Sequence, residues 1–68
     1  MVLLQKQTDR LYHLTMDGVI AVTVELINNQ WVFNSYGNNA YLNAEPKPSF
    51  QDLERVAIEM LSWALAPG

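Results

Sequence analysis

Cysteine is absent from the 68-residue chain. That excludes a disulfide framework, a thiolate zinc site, an iron–sulfur cluster and a cysteine nucleophile. Glycine is scarce, and Gly18, Gly37 and Gly68 lie too far apart to form a glycine-rich phosphate loop. Basic residues are also few: four Lys and Arg stand against seven Asp and Glu, a formal net charge of −3. Lys6, Arg10, Lys47 and Arg55 are scattered, which argues against nucleic acid as a direct ligand. No apolar run approaches the ~18 residues of a membrane helix, and Met1–Leu4 stops short of a signal-peptide core of ~7–15. These absences lead us to expect one compact domain over 1–68, cytoplasmic and with no membrane partner.

Catalytic constellations are missing as well. His13 is the single histidine, with Asp9 and Asp17 four residues to either side. On a strand and turn these three spread over ~25 Å, so we read His13 as an exposed or half-exposed strand residue. One histidine with scattered carboxylates does not make a zinc or iron site. Ser35, Ser49 and Ser62 lie in no Gly-x-Ser-x-Gly context and have no base nearby in sequence. The expectation is therefore no enzyme, no metal and no cofactor.

What remains is rich in strand formers. Turn signals at Asp17-Gly18, Asn28-Asn29 and Asn38-Asn39 separate runs dominated by Val, Ile, Thr, Trp, Phe and Tyr. This predicts an α+β fold, with an antiparallel meander of three to four strands over about 10–44. The conformation of residues 1–9 is left open; Val2–Leu4 reads as an extension of the first strand or a short edge element.

Pattern alone predicts register. A two-residue Asn28-Asn29 loop pairs Leu26 with Trp31 and Val24 with Phe33. It places Ile20, Val22, Val24, Leu26, Trp31 and Phe33 on one face, with Ser35 there too. Ala21, Thr23, Glu25, Ile27, Gln30, Val32, Asn34 and Tyr36 fall on the other. A similar Asn38-Asn39 loop sets Tyr36 beside Tyr41 and Asn34 beside Asn43. For the first hairpin we expect a three-residue Met16-Asp17-Gly18 loop, because it puts Tyr12 and Leu14 inside and His13 outside.

The C-terminal segment predicts a helix over about 50–65. Ser49 and Asp52 form a capping-box start behind Pro48. Phe50, Leu53, Ala57, Met60, Leu61 and Ala64 make the core stripe, and Arg55 and Glu59 are spaced to pair. The apolar arc spans ~220°, more than one packed face needs. It leaves two surplus flanks, Trp63 with Val56 and Ile58 with Leu65, and the first is a candidate for self-association as a homodimer. Asp52, Glu54 and Glu59 form a candidate acidic helix face.

Charge distribution points to a binding surface. No charged residue lies between Glu25 and Glu45, and that stretch holds all six Asn with Trp31, Phe33, Tyr36 and Tyr41. Tyrosine and asparagine together suit protein recognition, as in antibody paratopes. The candidate partner-binding residues are Tyr36, Tyr41, Asn34, Asn43, Thr23 and Val32. We expect a non-enzymatic protein that binds another protein, in particular an inhibitor of the kind phages and mobile elements encode against host defences. A self-associating accessory subunit is the alternative, and a carbohydrate-binding module a third reading.

Overall fold

The computed structural model describes residues 1–66. The chain is an antiparallel meander followed by one helix: β1 (Val2–Thr8), β2 (Leu11–Met16), β3 (Val19–Ile27), β4 (Gln30–Ser35), β5 (Asn38–Asn43) and α1 (Phe50–Leu65). The strands lie in the sheet in chain order, so β1 and β5 are its two edges. The fold class is the one expected. The strand beyond 10–44 is β1, which pairs antiparallel with β2.

The helix covers one face only. Phe33, Leu14, Val22 and Val24 are fully buried, and Leu4 and Trp31 join them from the sheet. Leu53, Ala57, Met60 and Leu61 meet them from α1. Tyr12 stands edge-on to Trp31 at 5.6 Å between ring centroids, a geometry aromatic quadrupoles favour. A two-layer body results, 33 × 24 × 17 Å. Its accessible surface is 4658 Å², somewhat above the ~4,300 Å² that size scaling gives for this mass. A sheet with one face uncovered accounts for an excess in that direction.

The β3–β4 register is the predicted one, with Leu26 opposite Trp31 and Val24 opposite Phe33. Two other hairpins differ from expectation. The first loop is Asp17-Gly18 alone, since Met16 pairs with Val19. Both loop residues have positive φ, 52° and 84°, as a type I′ turn requires. That loop by itself would turn His13 inward. A bulge prevents it: Leu14 pairs with Val22 and Thr15 with Ile20, so Ala21 is skipped. The extra residue reverses side-chain parity within the strand rather than in the turn. Tyr12 and Leu14 do face the core, but Ala21 is buried and Ile20 is 52% exposed, the reverse of the pattern reading.

Ser35 closes the bulge. Ser35 is 1% exposed, and its hydroxyl donates to the Ala21 carbonyl at 2.9 Å. The β3–β4 ladder ends at Thr23–Asn34, and beyond it the serine supplies the Ala21 carbonyl with a partner.

The last hairpin turns at Tyr36-Gly37, not at Asn38-Asn39. Ser35 pairs with Asn38, and Tyr36 and Gly37 carry φ of 51° and 82°. Glycine takes the second left-handed position without a Cβ clash, and this outweighs the asparagine pair as a turn signal.

The helix begins as predicted. The Ser49 hydroxyl accepts from the Asp52 N–H at 3.1 Å, and the Asp52 carboxylate accepts from the Ser49 N–H at 3.0 Å. Arg55 pairs with Asp52 at 3.4 Å rather than with Glu59, satisfying a carboxylate already placed at the helix start. Phe50 is half exposed and packs a tilted ring on Tyr12 at 6.2 Å.

Candidate functional site: the open face of the sheet

Alternation sends every second side chain to the face that α1 does not cover. The pairing registers order that face into rows. One row runs Gln5, His13, Thr23, Asn34, Asn39, and the next runs Leu11, Glu25, Val32, Tyr41. Leu3, Thr15 and Ile20 flank the first row, and Ile27, Gln30 and Asn43 flank the second. Glu25 is the only carboxylate in these rows, and none contains Lys or Arg.

Four of the six predicted partner-binding residues form one block. Thr23 and Asn34 are cross-strand partners, and Val32 pairs with Glu25 on one side and Tyr41 on the other. Thr23 and Val32 are half-buried among their neighbours, whereas Tyr41 is 60% exposed. The corrected register rearranges the other contacts. Tyr41 stands opposite Val32 instead of Tyr36, and Asn34 opposite Asn39 instead of Asn43. The Asn34 amide donates to the Asn39 side-chain oxygen at 2.7 Å. Asn43 lies one row away opposite Gln30, and Tyr36 stands apart in the turn.

Sequence reasoning missed the part of this face that β1 supplies, and placed His13 of β2 outward without counting it in the site. Val2–Thr8 shows no period-2 apolar alternation, and within it only Leu4 is buried. The side chains Leu3, Gln5, Leu11 and His13 widen the surface to five strands.

The other candidate sites are less cohesive. Val56 is half-buried and packs on the core, so it supports the fold, while Trp63 is 71% exposed. Asp52, Glu54 and Glu59 do not make one acidic face. At 100° per residue Asp52 and Glu59 share a side, and Glu54 falls on the opposite flank. Asp52 is engaged in the cap, where the Ser49 N–H and hydroxyl, and then Arg55, hold its carboxyl below the usual range. Lys6 pairs with Asp9 at 2.9 Å, which lowers the Asp9 carboxyl and raises the Lys6 ammonium.

Chemistry-bearing side chains are dispersed. Ser35 is committed to the bulge, Ser49 to the cap, and Ser62 to the Ile58 carbonyl at 3.0 Å. Among the described residues, no three His, Asp or Glu lie close enough to hold a metal ion. No described helix is long and apolar enough to cross a membrane. Two shallow clefts of about 390 and 420 Å³ flank the β5–α1 connection, and Glu45 and Lys47 line both. The chain matches no family model, and no curated protein and no solved structure is significantly similar to it.

Proposed function

We propose that this protein performs no chemistry of its own and acts by binding another protein through the open sheet face. The observation that carries the reading is a five-stranded face with no helix over it and a single carboxylate among its rows. Such a face costs little to desolvate compared with a charged one, because most of its polar groups are amides and hydroxyls. Strand backbone holds the side chains in place, so little conformational entropy is lost on docking. The absence of Lys and Arg from the face disfavours a phosphate-backbone ligand. Tyr36 sits in the turn and Tyr41 pairs with Val32, so the two tyrosines are not the cross-strand pair that would favour a sugar ligand. A small, thin domain of this shape suits an antagonist that occludes a partner's surface.

The test is affinity capture with the Thr23→Lys/Val32→Lys double variant beside the parent chain and Glu59→Lys. Both positions are half-buried on the open face, where a lysine stem can lie along the sheet and its ammonium reach solvent, so the circular dichroism should stay close to the parent's. Capture of a stoichiometric partner should be lost in the double variant and kept in Glu59→Lys. A folded double variant that still captures the partner refutes the site.

A further inference from the structure

The two edges of the sheet are unequally protected. β1 carries Lys6 and a register break between Lys6 and Thr8, both of which discourage pairing with another strand. β5, Asn38-Asn39-Ala40-Tyr41-Leu42-Asn43, has no charge, no proline and an unbroken register along its whole length. Edge strands of this kind are templates for a further strand.

The orientation of the free backbone groups follows from the hairpin. Ser35 and Asn38 close the two-residue loop, so they are a hydrogen-bonded pair. Alternation then turns Asn38, Ala40 and Leu42 toward β4. The Ala44 N–H, next in the same parity, donates to the Asn29 carbonyl at 3.1 Å. Asn39, Tyr41 and Asn43 therefore send their N–H and C=O groups outward, away from the sheet.

The geometry points to a second copy of this chain as the occupant of that edge, in an antiparallel β5–β5 pairing about a twofold axis at Tyr41. In this register Tyr41 exchanges both backbone hydrogen bonds with the partner copy's Tyr41. Asn39 does the same with the partner copy's Asn43, and each outward donor and acceptor is satisfied. Side chains match as well. The tyrosines meet on the open face, the asparagines face each other, and Ala40 lies opposite Leu42 on the covered face. An isologous contact sets every group against its own symmetry mate or a near neighbour. A charged edge would meet like charge at the axis, and β5 has none.

A second observation supports the same edge. Asp52 and Arg55 line a cleft together with Leu42 and Asn43, while Phe50 lies against Tyr12 of β2. This places the Asp52 side of α1 over β5. Trp63 follows Asp52 by eleven residues, three turns on and 20° away, on that same side. The exposed indole thus lies on the flank of α1 that at its first turn faces the β5 edge. Pairing at β5 puts both helices on one face of a ten-stranded sheet. The inference is independent of the sheet-face reading, since the edge pairs whether or not the open face has a partner.

The cysteine-free sequence makes a direct test available. Residues paired across the axis have Cα atoms ~5.5 Å apart, within disulfide reach. Tyr41→Cys should form a covalent dimer under mild oxidation. Asn38→Cys should not, because its symmetry mate lies ~20 Å away along the strand. The unmodified chain should sediment as a dimer at about 100 µM, and Tyr41→Lys should weaken the dimer at least about tenfold through like charge at the axis. The Thr23→Lys/Val32→Lys variant should dimerise as the parent does, which separates this proposal from the sheet-face site. A monomer at that concentration overturns it. So does Asn38→Cys cross-linking as readily as Tyr41→Cys.

Discussion

Replacing Ser35 by alanine isolates the side-chain hydrogen bond made to the bulge residue Ala21. Ser35 is 1% exposed, and its hydroxyl is the side-chain partner of the Ala21 carbonyl in the bulge. Ser35→Ala removes one oxygen, leaves little void, and strands a buried acceptor. An unsatisfied buried carbonyl costs ~1–3 kcal/mol, and the eased desolvation of the missing hydroxyl returns a part, so a net loss of ~1–2 kcal/mol is expected. At ~0.05–0.15 kcal/mol per residue, a chain of this length has ~3–10 kcal/mol in all. The change should therefore lower Tm by ~5–15 °C. Thermal unfolding followed by circular dichroism reads this directly, with Ser62→Ala as the matched control. Ser62 also donates to a backbone carbonyl, at 3.0 Å, but on an exposed helix face. There alanine is the better helix former, and Tm should hold or rise slightly. Equal melting of Ser35→Ala and the parent, within ~2 °C, would refute the role given to this serine, because a carbonyl truly dependent on it cannot be orphaned at no cost.

Other perturbations follow the same physics. Phe33→Ala, at a fully buried position, should cost ~3–5 kcal/mol, enough to leave much of the chain unfolded at 37 °C in a urea or thermal titration. Ser49→Ala should lose ~1 kcal/mol by removing the helix cap, visible as a lower urea midpoint with unchanged slope. Asp52 and Asp9 both have carboxyl pKa values lowered in the fold. Their contribution is therefore present above the ordinary carboxylate range and lost as pH falls through the depressed values, below about pH 4. Asp52→Asn should flatten the acid limb of stability against pH, and an unaltered limb would remove the cap from that role.

Much of the architecture was legible because different signals agreed. In α1 the cap pair Ser49 and Asp52, the proline before them and the apolar spacing all mark the same helix. In β3 and β4 the alternation of Val22, Val24 and Leu26 against Trp31 and Phe33 allows one register, since a one-residue slip would expose the core set. The failures have local causes. A bulge changes parity without a residue type of its own, and Ala21 gives no hint of it. At the last turn, two asparagines competed with Tyr36-Gly37, and a tyrosine at φ 51° is not a residue that turn rules anticipate. β1 was obscured because an edge strand exposed on most of its length needs little apolar alternation.

Those corrections reshaped the candidate site without dissolving it. The register error at the last hairpin was even in residue count, so Tyr41, Asn43 and Leu42 kept their faces while changing partners. Thr23, Val32, Asn34 and Tyr41 thus stayed together on the open face. Tyr36 left it because a turn residue belongs to neither face. The surplus of the helix's apolar arc reduced to Trp63, Ile58 and Leu65, since Val56 turned partly into the core.

The claim that the open face of the sheet is the recognition surface is tested most directly by site-specific photo-crosslinking. A photoreactive side chain at Thr23 or Val32 should yield one discrete heterologous adduct in the cell that makes this protein. The same group at Glu54 or Glu59, on the helix, should yield none. An adduct from the helix positions and none from the sheet would contradict the account.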